Sequence, residues 1–133
     1  MHETAVRVYY EDTDFGGVVY YANYLKFIER GRTELLRNHG IDQVALKAAG
    51  LVFVVRRLAA EYLSPARFDD LLVVETRITE ARHASVAMAQ RVLRGGTPLF
   101  TAEVLIATMD ATGRPARLPP EIRAKFVEGV QSS

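Results

Sequence analysis

Three carboxylates, Glu11, Asp12 and Asp14, fall within four positions of the stretch "EDTDFGGVVYYANY", residues 11–24. A glycine pair, Gly16-Gly17, follows at once, and a helical pattern begins near Tyr21, Ala22 and Asn23. A helix start carries backbone N–H groups without internal acceptors and the positive end of the helix dipole. It therefore stabilises an oxyanion or a polarised carbonyl. Glycines ahead of it allow the backbone to approach a ligand closely. Asp14 lies in the same loop as Tyr21, so one segment supplies both a carboxylate and an anion-stabilising amide. That pairing suits acyl transfer, with Asp14 as nucleophile or as general base toward water. The competing reading is a solvated turn. Asp and Gly before a helix are common capping and turn residues, and the residues alone favour the turn.

The elements that position this loop follow from periodicity. "AVRVYY", residues 5–10, is β-branched and aromatic and predicts a short strand. Tyr24, Phe27, Ile28, Gly31, Leu35 and Leu36 trace one face of a long amphipathic helix. Gly40 is suited to end it as the left-handed residue past the last turn. "DQVALKAA", 42–49, predicts a second short helix capped by Asp42. Strands are then expected over 51–63, 71–82, 83–94 and 98–110, joined by turns of hairpin length. A short last helix is expected from Pro120, with 127–133 as a frayed tail. The order is strand, long helix, then an antiparallel run of four strands. It predicts one α+β domain over 1–133, with a five-stranded antiparallel sheet around one long helix. An apolar outer sheet face would remain, and self-association is its usual explanation.

Composition excludes several classes. Seventeen basic residues nearly balance 16 acidic ones, a net charge of +1, so no basic surplus marks a nucleic-acid binder. Arg56-Arg57 and the pair Arg114 and Arg117 are small clusters, suited to a solvated face or to a phosphorylated ligand. The chain has no cysteine, hence no thiolate nucleophile, disulfide or cysteine metal site. No metal-ligand spacing occurs and no cofactor is called for. "MHETAVRVYYED" has charges where a signal peptide needs an apolar core. The longest apolar run, "GLVFVV", is far short of the roughly 18 residues of a membrane span. A cytoplasmic protein without membrane insertion is expected.

The motif D-x-D-x-x-G-x-V-Y-x-x-N-Y stands here as Asp12, Asp14, Gly17, Val19, Tyr20, Asn23 and Tyr24. With "EYLSPARFDDLL" and "GRPARLPPEIRAKF" it makes nearly the whole chain resemble the YbgC-type branch of the 4-hydroxybenzoyl-CoA thioesterase family. These are hot-dog-fold acyl-CoA thioesterases. The resemblance implies hydrolysis of a thioester to a carboxylic acid and free CoA. It matches Asp14 to the catalytic aspartate and the backbone N–H of Tyr21 to the amide that polarises the thioester carbonyl. Gly17, Val19, Tyr20 and Asn23 are placed beside the substrate, although Asn23 reads more readily as a tether of the helix start. Many YbgC-type members carry His at the position of Tyr21; the tyrosine bears on substrate preference and leaves the backbone role intact. The resemblance further implies a homotetramer, a dimer of dimers with sites between protomers. An acyl-carrier-protein substrate, or a non-catalytic acyl-CoA or acyl-carrier-protein binding module on the same fold, are the alternatives. A hydratase is disfavoured because no histidine lies in the motif loop. Arg56, Arg57, Arg82, His83 and Arg91 are candidate CoA-phosphate ligands, but none matches a motif position and each reads more readily as a surface charge. Glu29 reads as a helix-surface carboxylate. Phe15, Tyr20, Tyr21, Phe53 and Phe68 are candidates for an acyl pocket.

Overall fold

A computed structural model of the protein describes residues 1–132. Its elements run β1 (His2–Arg7), a single 3-10 turn (Tyr10–Asp12), α1 (Asn23–Asn38), α2 (Gln43–Ala48), β2 (Leu51–Tyr62), β3 (Leu71–Ala81), β4 (Ser85–Arg94), β5 (Thr97–Asp110) and α3 (Pro120–Ser132). The five strands form one antiparallel sheet in the order β1-β3-β4-β5-β2.

The first strand lies three residues earlier than the expected 5–10. Tyr9 N–H donates to Asp12 Oδ2 at 2.8 Å and Asp12 N–H to the Tyr9 carbonyl at 3.0 Å. These local bonds draw the backbone of 9–12 out of the ladder and into a turn. The four later strands are also not a simple meander. β2 pairs with β5, from Leu51↔Asp110 to Tyr62↔Phe100, so residues 63–70 cross from one side of the sheet to β3. Three strand spacings amount to about 14 Å, within the reach of eight residues. At the other end, α3 runs through Ser132, with Val130 packed against the core, so the helix extends into the stretch expected to fray.

The long helix buries Tyr24, Phe27, Ile28, Gly31, Leu35 and Leu36, the face its periodicity predicts. It ends in a Schellman motif: Ile41 N–H donates to the Leu36 carbonyl and Gly40 N–H to that of Arg37, with Gly40 at φ 70°. Asp42 caps α2 by accepting from Ala45 N–H at 3.0 Å. Under α1 lies the inner face of the sheet: Leu72, Val74, Thr76 and Ile78 of β3, Val86, Met88, Gln90 and Val92 of β4, and Phe100, Ala102, Val104 and Ile106 of β5, all buried. α3 closes the far end with Ile122 and Phe126. The outer face differs from expectation. It carries Glu75, Arg77, Arg91 and Glu103 among apolar residues such as Val73, Ala89 and Leu105, and the large exposed apolar side chains gather on β2 and around the start of α1.

Two contacts set this architecture. At Gly31 the helix backbone lies so near the sheet that an added Cβ would stand 2.6 Å from Val74 Cγ1 and 2.8 Å from Thr76 Oγ1. Beside it Gln90 is fully satisfied inside the core: its amide donates to the Ile28 carbonyl at 2.8 Å and to Thr76 Oγ1 at 2.9 Å, and its oxygen accepts from Arg32 Nη1 at 2.9 Å. Burial pulls the Arg32 guanidinium below its ordinary pKa, and Glu29 opposes that shift. The crossover is latched separately. Asp70 Oδ2 accepts from Arg94 Nη1 at 2.7 Å and from Arg67 N–H at 2.8 Å. Burial alone would raise the Asp70 carboxyl. The hydrogen bonds from Arg67 and Arg94, with their charges, outweigh it and hold the group below its ordinary value.

Gly31→Ala therefore destabilises the fold by about 1–3 kcal/mol, although alanine is the better helix former, because overpacking exceeds the propensity gain. Urea denaturation reads this as a lower midpoint at unchanged slope. Asp70→Asn costs about 1 kcal/mol at pH 7. A depressed carboxyl pKa stabilises above its unfolded value, near 4, and that contribution is lost as pH falls through the folded value. The gap between wild type and Asp70→Asn should therefore close on acidification from pH 7 toward pH 3; a constant gap would rule out the charge as its source.

Candidate active site

The loop before α1 is a small hairpin built from its own backbone. Thr13 and Val19 form an antiparallel bridge, Asp14 N–H donates to the Val18 carbonyl at 2.9 Å, and Gly17 N–H donates to the Asp14 carbonyl at 3.0 Å. Gly17 sits at φ 79°, a left-handed position that glycine takes without strain. Asp14 crowns this turn. Its Oδ1 accepts from Gly16 N–H at 2.8 Å, which fixes the side chain, while the residue stays exposed. Phe15 beside it is fully exposed, at 109% of its reference area.

The three carboxylates divide into different tasks. Asp12 is structural. Its side chain holds Tyr9 N–H, and its carbonyl accepts from Tyr20 N–H at 2.9 Å and from Asn23 Nδ2 at 2.9 Å. Glu11 is exposed, with no partner in the loop. Asp14 alone is both ordered and accessible. Asn23 is the tether the residues suggested, since its amide spans back to Asp12, and no side chain caps α1 at Ala22.

The peptide units at the helix start are pinned one by one. Asn23 N–H donates to the Tyr20 carbonyl at 2.8 Å. The Tyr62 hydroxyl, from the end of β2, donates to the Tyr21 carbonyl at 2.8 Å. Val19 is buried and its N–H donates to the Ala66 carbonyl at 2.8 Å, while Ala66 N–H donates to the Tyr24 hydroxyl at 3.0 Å. The crossover is thus stitched to both ends of the loop. Tyr21 and Ala22 precede the first helical turn, where N–H groups have no intrahelical acceptor. Around them Tyr20, Tyr21, Tyr24, Tyr62 and Phe100 form a chain of ring contacts with centroids 4.9 to 6.2 Å apart. Burial raises the pKa of Tyr24 and of Tyr62, and Tyr21 and Tyr24 add to the rise at Tyr62, so its hydroxyl keeps its proton.

The structure brings Asp14, Gly17, Val19, Tyr20, Tyr21 and Asn23 into one loop-and-helix-start unit. The other candidates disperse. Phe53 packs edge-on against Phe126, 5.9 Å away at the α3 end, and Phe68 packs against Tyr10, 6.3 Å away. Only Phe15, Tyr20 and Tyr21 of the five acyl-pocket candidates belong to the loop. Arg82 is paired with Glu80 and Arg91 with Glu75. Arg56 and Arg57 are exposed on β2, and His83 borders a groove with Arg117 and Arg123 of the C-terminal segment. Glu29 is an exposed helix residue. Two participants carried no local signal. Tyr62, at the end of β2, and Ala66, in the crossover, meet the loop 41 and 42 positions from their partners Tyr21 and Tyr24. Among the described residues no group of three or more His, Asp or Glu is placed to hold a metal ion, and no helix is long and apolar enough to cross a membrane.

Comparison with known proteins agrees with this geometry. The sequence profile of the thioesterase-like superfamily matches residues 8–126. The acyl-CoA thioester hydrolase YbgC of Escherichia coli is 50% identical over 123 residues, covering 91% of this chain and 92% of that protein. The acyl-CoA thioesterase YbgC of Haemophilus influenzae is 46% identical over 123 residues, covering 91% and 90%. The crystal structure of a probable thioesterase from Bartonella henselae superposes with a TM-score of 0.85 at 46% identity, covering 89% of this chain and 98% of that one. The five-stranded antiparallel sheet around α1, the matched superfamily profile and these relatives together establish that the chain belongs to the thioesterase-like superfamily, as a YbgC-type thioesterase of the hot-dog fold.

Proposed function

We propose that the protein hydrolyses an acyl-CoA thioester to a carboxylic acid and free CoA, with Asp14 as the catalytic carboxylate and the backbone N–H of Tyr21 polarising the substrate carbonyl. One observation carries the assignment: Asp14 is the only carboxylate of the loop that is both fixed, by Gly16 N–H, and exposed. A carboxylate held ahead of a helix start faces the electrophilic carbon of a carbonyl whose oxygen the helix end stabilises. As general base, Asp14 takes a proton from water while the water oxygen bonds to the carbonyl carbon. The C–S bond then breaks and the sulfur leaves as thiolate. As nucleophile, an Asp14 carboxylate oxygen bonds to the carbonyl carbon and the C–S bond breaks with CoA leaving as thiolate; water then hydrolyses the mixed anhydride to the free acid and restores the Asp14 carboxylate. Gly17 gives the backbone freedom for close approach, and Val19, Tyr20 and Asn23 hold the wall and the helix start. The related YbgC proteins are named for acyl-CoA substrates, which supports CoA as the carrier; acyl carrier protein is the competing donor. Acyl-CoA is a cytoplasmic pool, which supports a cytoplasmic location.

We further propose that the working unit is a homotetramer, a dimer of dimers with each site completed by a neighbouring subunit. Two observations support it. Among the described residues β2 is a 12-residue strand paired only on its β5 side, and it presents Val55 and Leu58. A long edge strand of this kind is a ready template for pairing with a second chain. The site loop also exposes Phe15, Tyr20 and Tyr21, apolar surface that a lone subunit leaves in water.

Thiol release from a panel of short-chain, long-chain and benzoyl-CoA substrates tests the assignment. Asp14→Asn should lower kcat by about 100-fold or more while acyl-CoA binding stays within a few-fold. Near-normal turnover in the variant would remove Asp14 from the mechanism. Binding without turnover by the wild type would make the protein a carrier module instead. Sedimentation velocity should show four times the 14.8 kDa chain mass; an active monomer would refute the shared site.

A further inference from the structure

We propose that Tyr62 is a positioning residue for the hydrolysis, its hydroxyl holding the Tyr21 carbonyl, and with it the Ala22 N–H of the same peptide unit and the backbone angles of Tyr21, so that the helix start is aimed at the substrate. The inference rests on the thioesterase reading above and adds a residue to it from a different strand. The peptide unit is planar and trans, so a carbonyl held on one side directs the N–H of that unit to the other. Tyr21 lies between two such units. The one before it is fixed by Asn23 N–H on the Tyr20 carbonyl, at 2.8 Å. The one after it is fixed by Tyr62, also at 2.8 Å. Both dihedrals of Tyr21 are therefore constrained from outside the residue.

The Tyr21 carbonyl has no helical partner. Leu25 N–H, which would serve it in a regular turn, donates instead to the Ala22 carbonyl at 3.2 Å. The Tyr62 hydroxyl takes that place. It is itself a fixed point, because the Tyr62 ring packs edge-on against Phe100 at 5.0 Å and Tyr24 at 5.5 Å, and both of those are buried. A hydrogen bond to a carbonyl also polarises its peptide, which strengthens the N–H of Ala22 as a second donor at the helix start. Loss of the hydroxyl should leave the loop in place and its amides loosely aimed. Misaiming of this size acts on the chemical step more than on substrate capture.

The test is Tyr62→Phe, which keeps the ring and its packing. With the panel acyl-CoA that the wild type hydrolyses fastest, kcat should fall about ten-fold while KM stays within about two-fold. The melting temperature should move by no more than a few degrees. Phe100→Leu is the control, since it loosens the ring cluster and leaves the hydroxyl; it should lower the melting temperature while costing less kcat than Tyr62→Phe. Wild-type kcat in Tyr62→Phe overturns the inference. So does an equal kcat loss in Phe100→Leu, which would assign the effect to packing. With active wild type and inactive Asp14→Asn, either of these removes Tyr62 alone. A wild type inert on every thioester removes the thioesterase reading and the Tyr62 role together.

Discussion

The close seating of α1 on the sheet at Gly31 is the constraint on which the other features depend. No side chain separates the helix backbone from Val74 and Thr76 at that point. The Gln90 amide then reaches from β4 to the Ile28 carbonyl, one turn earlier, so the helix is held by a hydrogen bond as well as by contact. Contact alone would let a helix slide along an apolar sheet; a hydrogen bond to one carbonyl sets its register. With the register set, the start of α1 falls where β2 ends and where the crossover passes. Tyr62 and Ala66 can reach it only there.

Rigidity at the loop follows from that placement. A turn carrying three carboxylates and two glycines would be mobile by composition. Here Asp12 spends its side chain and its carbonyl on Tyr9, Tyr20 and Asn23, and the crossover holds Val19 and Tyr24 from the other side. The hairpin of residues 13–19 is thus clamped at its base, and its tip, with Asp14, is positioned without being buried.

Legibility in the sequence divides along the range of the interactions. α1, its buried face and its Gly40 terminus were readable because they depend on spacings of three and four residues. So was Asp42 as a cap, and so were the strand spans, to within a residue or two. β1 was misplaced because side-chain bonds from Asp12 compete with strand propensity at Tyr9 and Tyr10. The pairing of β2 with β5 was not readable, because a turn-like 63–70 looks the same whether it closes a hairpin or crosses a sheet. Asp14 stood out by motif. Tyr62 did not, because its partner is a backbone carbonyl and leaves no trace in residue type.

The same distinction explains what a single chain can and cannot present to a thioester. On the proposed assignment, one subunit supplies the Asp14 carboxylate and the N–H groups at the start of α1, beside an aromatic wall of Tyr20, Tyr21 and Tyr62. It supplies no second wall, for Phe53 and Phe68 are committed to contacts elsewhere. Nor do Arg82 and Arg91, engaged with Glu80 and Glu75, share a hydrogen bond or ion pair with the loop. A ligand site ordinarily encloses most of its ligand's surface. A half-site with an exposed phenylalanine at its tip meets that requirement when another surface closes over it. The free edge of β2, which ends at Tyr62, runs directly into this half-site, so chain pairing along that edge would bring the second wall to the place where the first is already built.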